Sequence, residues 1–123
     1  MAAFDFGRTA VFERLGEKNM ITVKNISPVE GIIYMQMKNN DVLICEATAR
    51  LQGETAELMD IREYKKGFAY DMGKAILNSI DLKGIKKVEC SNKNLHDVLL
   101  ALRFSLSNCL YSLTLDGYFD TKC

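Results

Sequence analysis

Tyr64-Lys65-Lys66-Gly67-Phe68-Ala69 is the stretch on which the reading of this chain turns. Upstream of it, apolar residues come in short strand-like runs. Downstream, Met72, Ala75, Ile76 and Ile80 recur at helical spacing. The hexapeptide therefore joins a strand to a helix. Gly67 lets the backbone turn tightly and approach a ligand closely, and the small Ala69 leaves room at the helix start. The first amides of a helix lack internal partners, and the helix dipole favours an anion beside them. With Lys65 and Lys66 adjacent, the segment is a candidate cradle for a pyrophosphate. The same six residues also suit a plain strand-to-helix turn carrying two solvated lysines.

Working outward, the first half reads as an antiparallel meander. Strands are predicted over residues 10–15 and 21–26 around Gly16-Glu17-Lys18-Asn19, then over 31–37, 42–51 and 56–61. Lys38-Asn39-Asn40-Asp41 and Gln52-Gly53-Glu54 supply the turns between the later ones. A helix over 70–83 is stopped by Gly84, and a strand follows over 85–90. Asn94 can cap a second helix whose apolar stripe is Leu95, Val98, Leu99 and Leu102. Residues 109–115 and 118–122 flank Asp116-Gly117 as a C-terminal hairpin. The expected fold is α/β: a mixed, mostly antiparallel sheet with two main helices and a C-terminal β-hairpin.

Composition bounds the rest. The chain has 123 residues, of which 48% are hydrophobic and 26% charged, with a formal net charge of zero. That is enough for one domain with a real core, and the charge balance gives no general attraction for nucleic acid. A single proline and no linker-like stretch make residues 1–123 one domain. No run approaches the roughly 20 apolar residues that span a bilayer. Residues 2–6 are too short for a signal sequence and are followed by Arg8, Glu13 and Arg14, so a cytoplasmic protein is expected. Cys45, Cys90, Cys109 and Cys123 form no CxxC pair and read as reduced thiols, two or three of them buried in strands. With His96 the one histidine, neither a metal site nor a Cys/His nucleophile is expected. Met35, Met37, Met59 and Met72 read as core filler.

From about Gly31 to the end, the order and spacing of these segments resemble the GNAT acyl-CoA N-acyltransferase superfamily; residues 1–30 have no clear counterpart in it. The family's acyl-CoA motif is Arg or Gln, two residues, Gly, one residue, then Gly or Ala. Gly67 and Ala69 fill the last two slots, and Tyr64 stands in the first. Gly84-Ile85-Lys86-Lys87-Val88-Glu89 is similar to the family's next strand, and Asn92 matches the asparagine common after it. Arg103-Phe104 stands where Gly-Phe usually closes the following helix. The resemblance implies a sheet splayed between strands 56–61 and 85–90, with the pantetheine of acetyl-CoA lying in the gap like an added strand. Amides near Ile61 and Arg62 would meet the pantetheine and the thioester carbonyl. Lys65 and the amides of Lys66, Gly67, Phe68, Ala69 and Tyr70 would hold the pyrophosphate, with Asn92 on the opposite wall. Donors aimed at the oxygen where charge grows are worth roughly 3 to 4 kcal/mol in related acyl transfer.

Direct attack by a primary amine also needs a proton acceptor and a proton donor. The resemblance implies Glu57 as the general base. Asp60 competes, but strand alternation puts it on the opposite face from Glu57. The family's usual acid, a tyrosine, falls at Leu99, which cannot donate; Tyr111 or Tyr118 could substitute. Where the family places two helices lining the acceptor pocket, this chain has only Ser27-Pro28-Val29-Glu30. The acceptor side is then open to a small-molecule or protein amine, or is completed by a second subunit in a homodimer, or is absent. His96 reads as a surface residue. Lys83, Lys86 and Lys87 read as a solvated face that could also meet the 3'-phosphate of CoA. The expected function is an N-acetyltransferase using acetyl-CoA. A degenerate, non-catalytic acyl-CoA-binding or interaction module is the competing reading.

Overall fold

Alternating apolar and polar residues build strands through the first half of the chain. The computed structural model describes residues 9–14, 17–27 and 29–119, with side chains from residue 20 onward. Among the described residues, one sheet contains β1 (Thr9–Arg14), β2 (Glu17–Asn25), β3 (Ile32–Asn39), β4 (Val42–Gln52), β5 (Thr55–Glu63), β6 (Lys87–Cys90), β7 (Ser105–Ser107) and β8 (Leu110–Thr114). The spatial order is β1-β2-β3-β4-β5-β6-β8-β7. β5 and β6 pair in parallel and every other neighbouring pair is antiparallel. The expected mixed, mostly antiparallel sheet is therefore present.

Two turns differ from their sequence signals. Glu17, Lys18 and Asn19 already belong to β2, opposite Arg14, Glu13 and Phe12, so the first turn is shorter than residues 16–19; its residues 15–16 lie outside the described ones. The C-terminal hairpin also closes earlier than Asp116-Gly117. β7 and β8 pair across Asn108-Cys109, whose φ angles of 51° and 64° are both left-handed, as a two-residue hairpin turn requires. Asp116-Gly117 makes a tight turn instead, with the Tyr118 amide donating to the Leu115 carbonyl at 2.9 Å. Residues 120–122 of the expected final strand lie outside the described ones.

The core lies on one side of the sheet. α1 (Ala69–Leu82) crosses from β5 to β6 and buries Met72, Ala75, Ile76, Leu77 and Ile80 against that face. β3 contributes Ile33, Met35 and Met37, and β4 and β5 contribute Ala47, Ala49, Ala56 and Leu58, all at most 1% exposed. α2 (His96–Ala101) follows a 3-10 turn (Lys93–Leu95) and buries Leu99. The cap of this region is Asn92 rather than Asn94: its side-chain oxygen accepts from the Asn94 amide at 3.0 Å. At the other end, Arg103 has φ 75°, its amide donates to Leu100 O, and the Phe104 amide reaches Leu99 O. Those two bonds make a Schellman cap, in which a left-handed residue is required and glycine is the usual choice. Glycine would therefore be favoured at the position of Arg103.

The opposite face of the sheet is polar, carrying Tyr34, Gln36, Glu46, Thr48, Arg50, Glu57 and Arg62 in cross-strand register. One irregularity reorganises it. Thr48 pairs with Asp60 while Ala49 pairs with Leu58, so Met59 is an extra residue in β5. This bulge overturns two expectations. Asp60 is brought onto the same face as Glu57, and Met59 is 40% exposed rather than core.

Candidate functional site

β5 and β6 pair only through Thr55↔Lys87, Ala56↔Val88 and Glu57↔Glu89. The ladder stops where the bulge begins, and bulges bend a strand and increase its twist. Beyond that point the two strands separate, leaving a gap walled by Met59 to Glu63 on one side and by the chain after Cys90 on the other. Two hydrogen bonds orient the β5 wall. Met59 O accepts from Asn92 Nδ2 across the gap at 3.1 Å, whereas the Tyr64 amide donates away from it, to Ile44 O on β4 at 2.9 Å. Alternation between these points turns the Ile61 amide into the gap and the Arg62 amide toward β4. Asn92 also donates to Asp60 Oδ1 at 3.4 Å, so the side chain straddles the gap and meets both walls.

At the far end of the gap, β5 runs into the Lys65–Ala69 turn. Gly67 has φ 102°, a conformation that a Cβ would strain. This turn points three consecutive amides at one spot. Gly67 N, Phe68 N and Ala69 N all donate to Glu63 Oε2, at 2.9, 3.0 and 3.0 Å. The N-cap residue Phe68 supplies no side-chain cap of its own, so this carboxylate closes the start of α1. Glu63 alternates with the outward-facing Arg62 and follows Ile61 on the helix side of the sheet, which brings its side chain under the turn. The amides expected to form an anion cradle therefore do converge on an anion, and that anion belongs to the chain itself. Lys65 and Lys66 are exposed beside it. Tyr70 is 43% exposed and stacks over Lys74 Nζ, 5.9 Å from the ring centre.

Tyr64, in the slot that resembles the family's Arg or Gln, is committed elsewhere. Its hydroxyl donates to Glu46 Oε2 at 2.5 Å on the polar face of the sheet. Tyr34 donates to the other oxygen of the same carboxylate, and Gln36 Nε2 donates to the Tyr34 hydroxyl at 3.0 Å. The hydrogen bonds that Tyr34 and Tyr64 donate hold the Glu46 carboxyl below its ordinary range, and the same bonds push both phenols up.

The candidate acid–base groups are distributed unevenly. Glu57 sits where the β5–β6 ladder ends and is ion-paired to Arg50 Nη2 at 2.5 Å. Asp60, one bulge further along the same face, lies 3.5 Å from Arg62 Nη2. Leu99 is fully buried in the apolar core and can contribute no proton. Tyr118 donates its hydroxyl to Leu102 O at 2.9 Å, and burial pushes its pKa up to about 12. Tyr111 is 3% exposed and shares a 2.6 Å hydrogen bond with His96 Nδ1, so His96 is an exposed histidine with a buried partner. His96 and Tyr111 line a depression with Lys93, Leu106 and Cys109 that shares no residue with the gap. Cys109 stands in the exposed hairpin turn and not in a strand, while Cys45 and Cys90 are buried. Of the basic run, Lys86 pairs with Asp81 at 2.6 Å and Lys87 approaches Glu89 at 3.6 Å.

Two features of the site had no clear sequence signal. The bulge at Met59 reflects how β5 meets β4, which no local pattern encodes. Glu63 stands four residues before Gly67, a spacing that could have marked it as a cap reaching forward onto the turn.

No family model matches the sequence, and no curated protein does. The fold, in contrast, has many counterparts among solved structures. The IAA acetyltransferase from Bacillus cereus ATCC 14579 superposes with a TM-score of 0.61 at 11% identity, over 77% of this chain and 99% of that one. The ribosomal-protein-S18-alanine N-acetyltransferase from Escherichia coli gives 0.59 at 13% identity, over 71% of each chain. The PaiA N-acetyltransferase from Thermoplasma acidophilum, solved in complex with coenzyme A, gives 0.56 at 12% identity, over 68% of this chain and 61% of that one. Architecture is shared where sequence is not. The chain has the fold of the GNAT N-acetyltransferases.

Proposed function

We propose that this protein is an acyl-CoA-dependent N-acyltransferase, with acetyl-CoA as donor and a primary amine as acceptor. One observation carries the reading: β5 and β6 part immediately after Glu57↔Glu89, and the gap ends at three convergent amides at the start of a helix. A gap walled by an unpaired strand edge suits an extended amide-bearing chain, which can pair with it as another strand does. Convergent helix-start amides suit the pyrophosphate beyond. The Ile61 amide would meet the pantetheine and thioester, with Asn92 opposite. Gly67, Phe68 and Ala69 would hold the pyrophosphate, with Lys65 and Lys66 adding positive charge and Tyr70 flanking. Bound there, acetyl-CoA supplies an acyl group activated as a thioester.

The remaining roles fall to this chain's own side chains. Glu57 takes the proton from the amine, leaving its contact with Arg50 to do so. Asp60 shares that face and keeps the mouth of the gap acidic, which favours a cationic amine. With Leu99 in the core and the Tyr118 hydroxyl given to Leu102, the proton donor is water. The polar sheet face is where the acceptor approaches, as a small molecule or a protein side chain, with a second copy of the chain as the means of closing it. A cytoplasmic location fits this reading; among the described residues no helix is long and apolar enough to cross a membrane.

The test is calorimetric titration with acetyl-CoA, followed by thiol release with a panel of amines. Saturable binding, together with turnover that Glu57→Gln abolishes while binding persists, is the expected result. Absence of acetyl-CoA binding overturns the proposal. A second reading, a non-catalytic acyl-CoA-binding module, is favoured by Leu99 at the acid position and by Glu63 on the cradle amides. Binding without turnover for any amine selects it.

A further inference from the structure

We infer that Glu63 is a built-in competitor for the anion cradle, a residue that decides which ligands enter the gap by occupying the place of their phosphates. The inference rests on the acyl-CoA reading above and concerns how strongly that site is held closed. Gly67 N, Phe68 N and Ala69 N each have one hydrogen to give, and each gives it to Glu63 Oε2 at 2.9 to 3.0 Å. A phosphate oxygen cannot take those hydrogens while the carboxylate keeps them. Both are anions, so they cannot sit side by side at the cradle without repulsion. A pyrophosphate therefore binds only after the Glu63 side chain swings out, and its affinity is reduced by the fraction of molecules in which the carboxylate is in place.

The other end of the gap behaves in the same way. Met59 O, on the unpaired edge of β5, is already satisfied by Asn92 Nδ2 at 3.1 Å. Asn92 in turn is fixed by its Oδ1 contact with the Asn94 amide at 3.0 Å. The gap thus has partners of its own at both ends, and Glu63 is the one whose charge opposes the ligand. Glu63 stands opposite Cys45 of β4, and Lys65 and Lys66 are exposed.

The experiment compares wild type with Glu63→Gln and Glu63→Ala by calorimetry, using acetyl-CoA, S-acetyl-pantetheine and inorganic pyrophosphate. Circular dichroism and a melt confirm that each variant is folded, and the alanine variant serves if the glutamine one is not. The expected result is acetyl-CoA affinity at least about tenfold tighter in the variant, equivalent to about 1.4 kcal/mol. Affinity for S-acetyl-pantetheine, which lacks the pyrophosphate, should stay unchanged. A purely structural cap predicts a lower melting temperature and no gain in affinity. Equal acetyl-CoA affinities in wild type and variants overturn the inference and leave the acyl-CoA reading standing. Pyrophosphate binding gained by the variant, with acetyl-CoA bound by neither protein, upholds the competitor role and overturns the acyl-CoA reading. No binding of either ligand by any of the proteins overturns both.

Discussion

Gly73 lies in the middle of α1, where alanine is ordinarily the better residue by about 1 kcal/mol. The packing argues that here alanine is worse. A Cβ built on Gly73 falls 2.5 Å from Leu102 Cδ1 and 3.4 Å from Ile61 Cδ1. Carbon atoms in contact normally sit about 3.5 to 4.0 Å apart, so the overlap with Leu102 exceeds roughly 1 Å. Leu102 is fully buried, so its side chain can yield only by displacing packed neighbours. Overpacking of this kind costs about 1 to 3 kcal/mol. Set against the helix-propensity gain, Gly73→Ala should destabilise by up to about 2 kcal/mol, with each kcal/mol worth about 3 to 5 °C at this chain length. The cause is separable. Leu102→Val removes both δ carbons at a cost of about 1 kcal/mol. In that background Gly73→Ala should be neutral or stabilising by up to about 1 kcal/mol, which makes the coupling between the two sites about 1 to 3 kcal/mol. Urea melts of the four proteins, with a common m-value, measure it. If Gly73→Ala stabilises both backgrounds equally, α1 and the end of α2 are not packed as described and the reasoning fails.

Three further outcomes are expected. Because the folded Glu46 carboxyl titrates below its unfolded value, its stabilisation is present above the ordinary carboxylate range and lost as pH falls through it; wild type should lose stability more steeply than Glu46→Gln between about pH 5 and pH 3. Identical pH profiles would remove the Tyr34–Glu46–Tyr64 network from the account. Burial pushes the Cys45 thiol up to about 12 and raises that of Cys90, whereas Cys109 is exposed. Iodoacetamide at pH 8 followed by peptide mapping should therefore find Cys109 modified and Cys45 and Cys90 protected until denaturant is added; equal labelling of Cys45 and Cys109 would contradict the burial. Arg103→Gly should raise stability by about 0.5 to 1 kcal/mol, since a non-glycine residue in the left-handed region costs roughly 1 to 2 kcal/mol and glycine returns part of that through the unfolded chain. A loss of stability in thermal melts would mean that the Arg103 side chain contributes more than its backbone strain.

The parts of this fold that were legible in the sequence are those encoded by local periodicity. Alternation marks β3 and β4, the 3.6-residue spacing of Met72, Ala75, Ile76 and Ile80 marks α1, and Gly84 marks its end. The gap between β5 and β6 has no signature in any local residue pattern; only the resemblance to a family implies it. What stayed hidden depends on partners distant in sequence. The phase change at Met59 follows from how β4 pairs with β5, and it reverses the face on which Asp60 lies. The Asp116-Gly117 signal was strong but the hairpin turned at Asn108-Cys109, because the residues after Cys90 return to pair with β6 before that signal is reached. Glu63 resembles any exposed strand-end carboxylate until the turn at Gly67 folds three amides back onto it.

The bulge has a genetic corollary. Met59 is the surplus residue: without it, Leu58 would still face the helices, Asp60 would still face away, and Ile61 would again face inward. A deletion of that one codon would thus leave the inside–outside pattern of the strand intact while removing the bend that parts it from β6. The sheet could then continue its ladder through the space now open. In this architecture the inside–outside pattern that folds the strand and the bend that parts it from β6 rest on different residues, so one deletion would remove the second and leave the first.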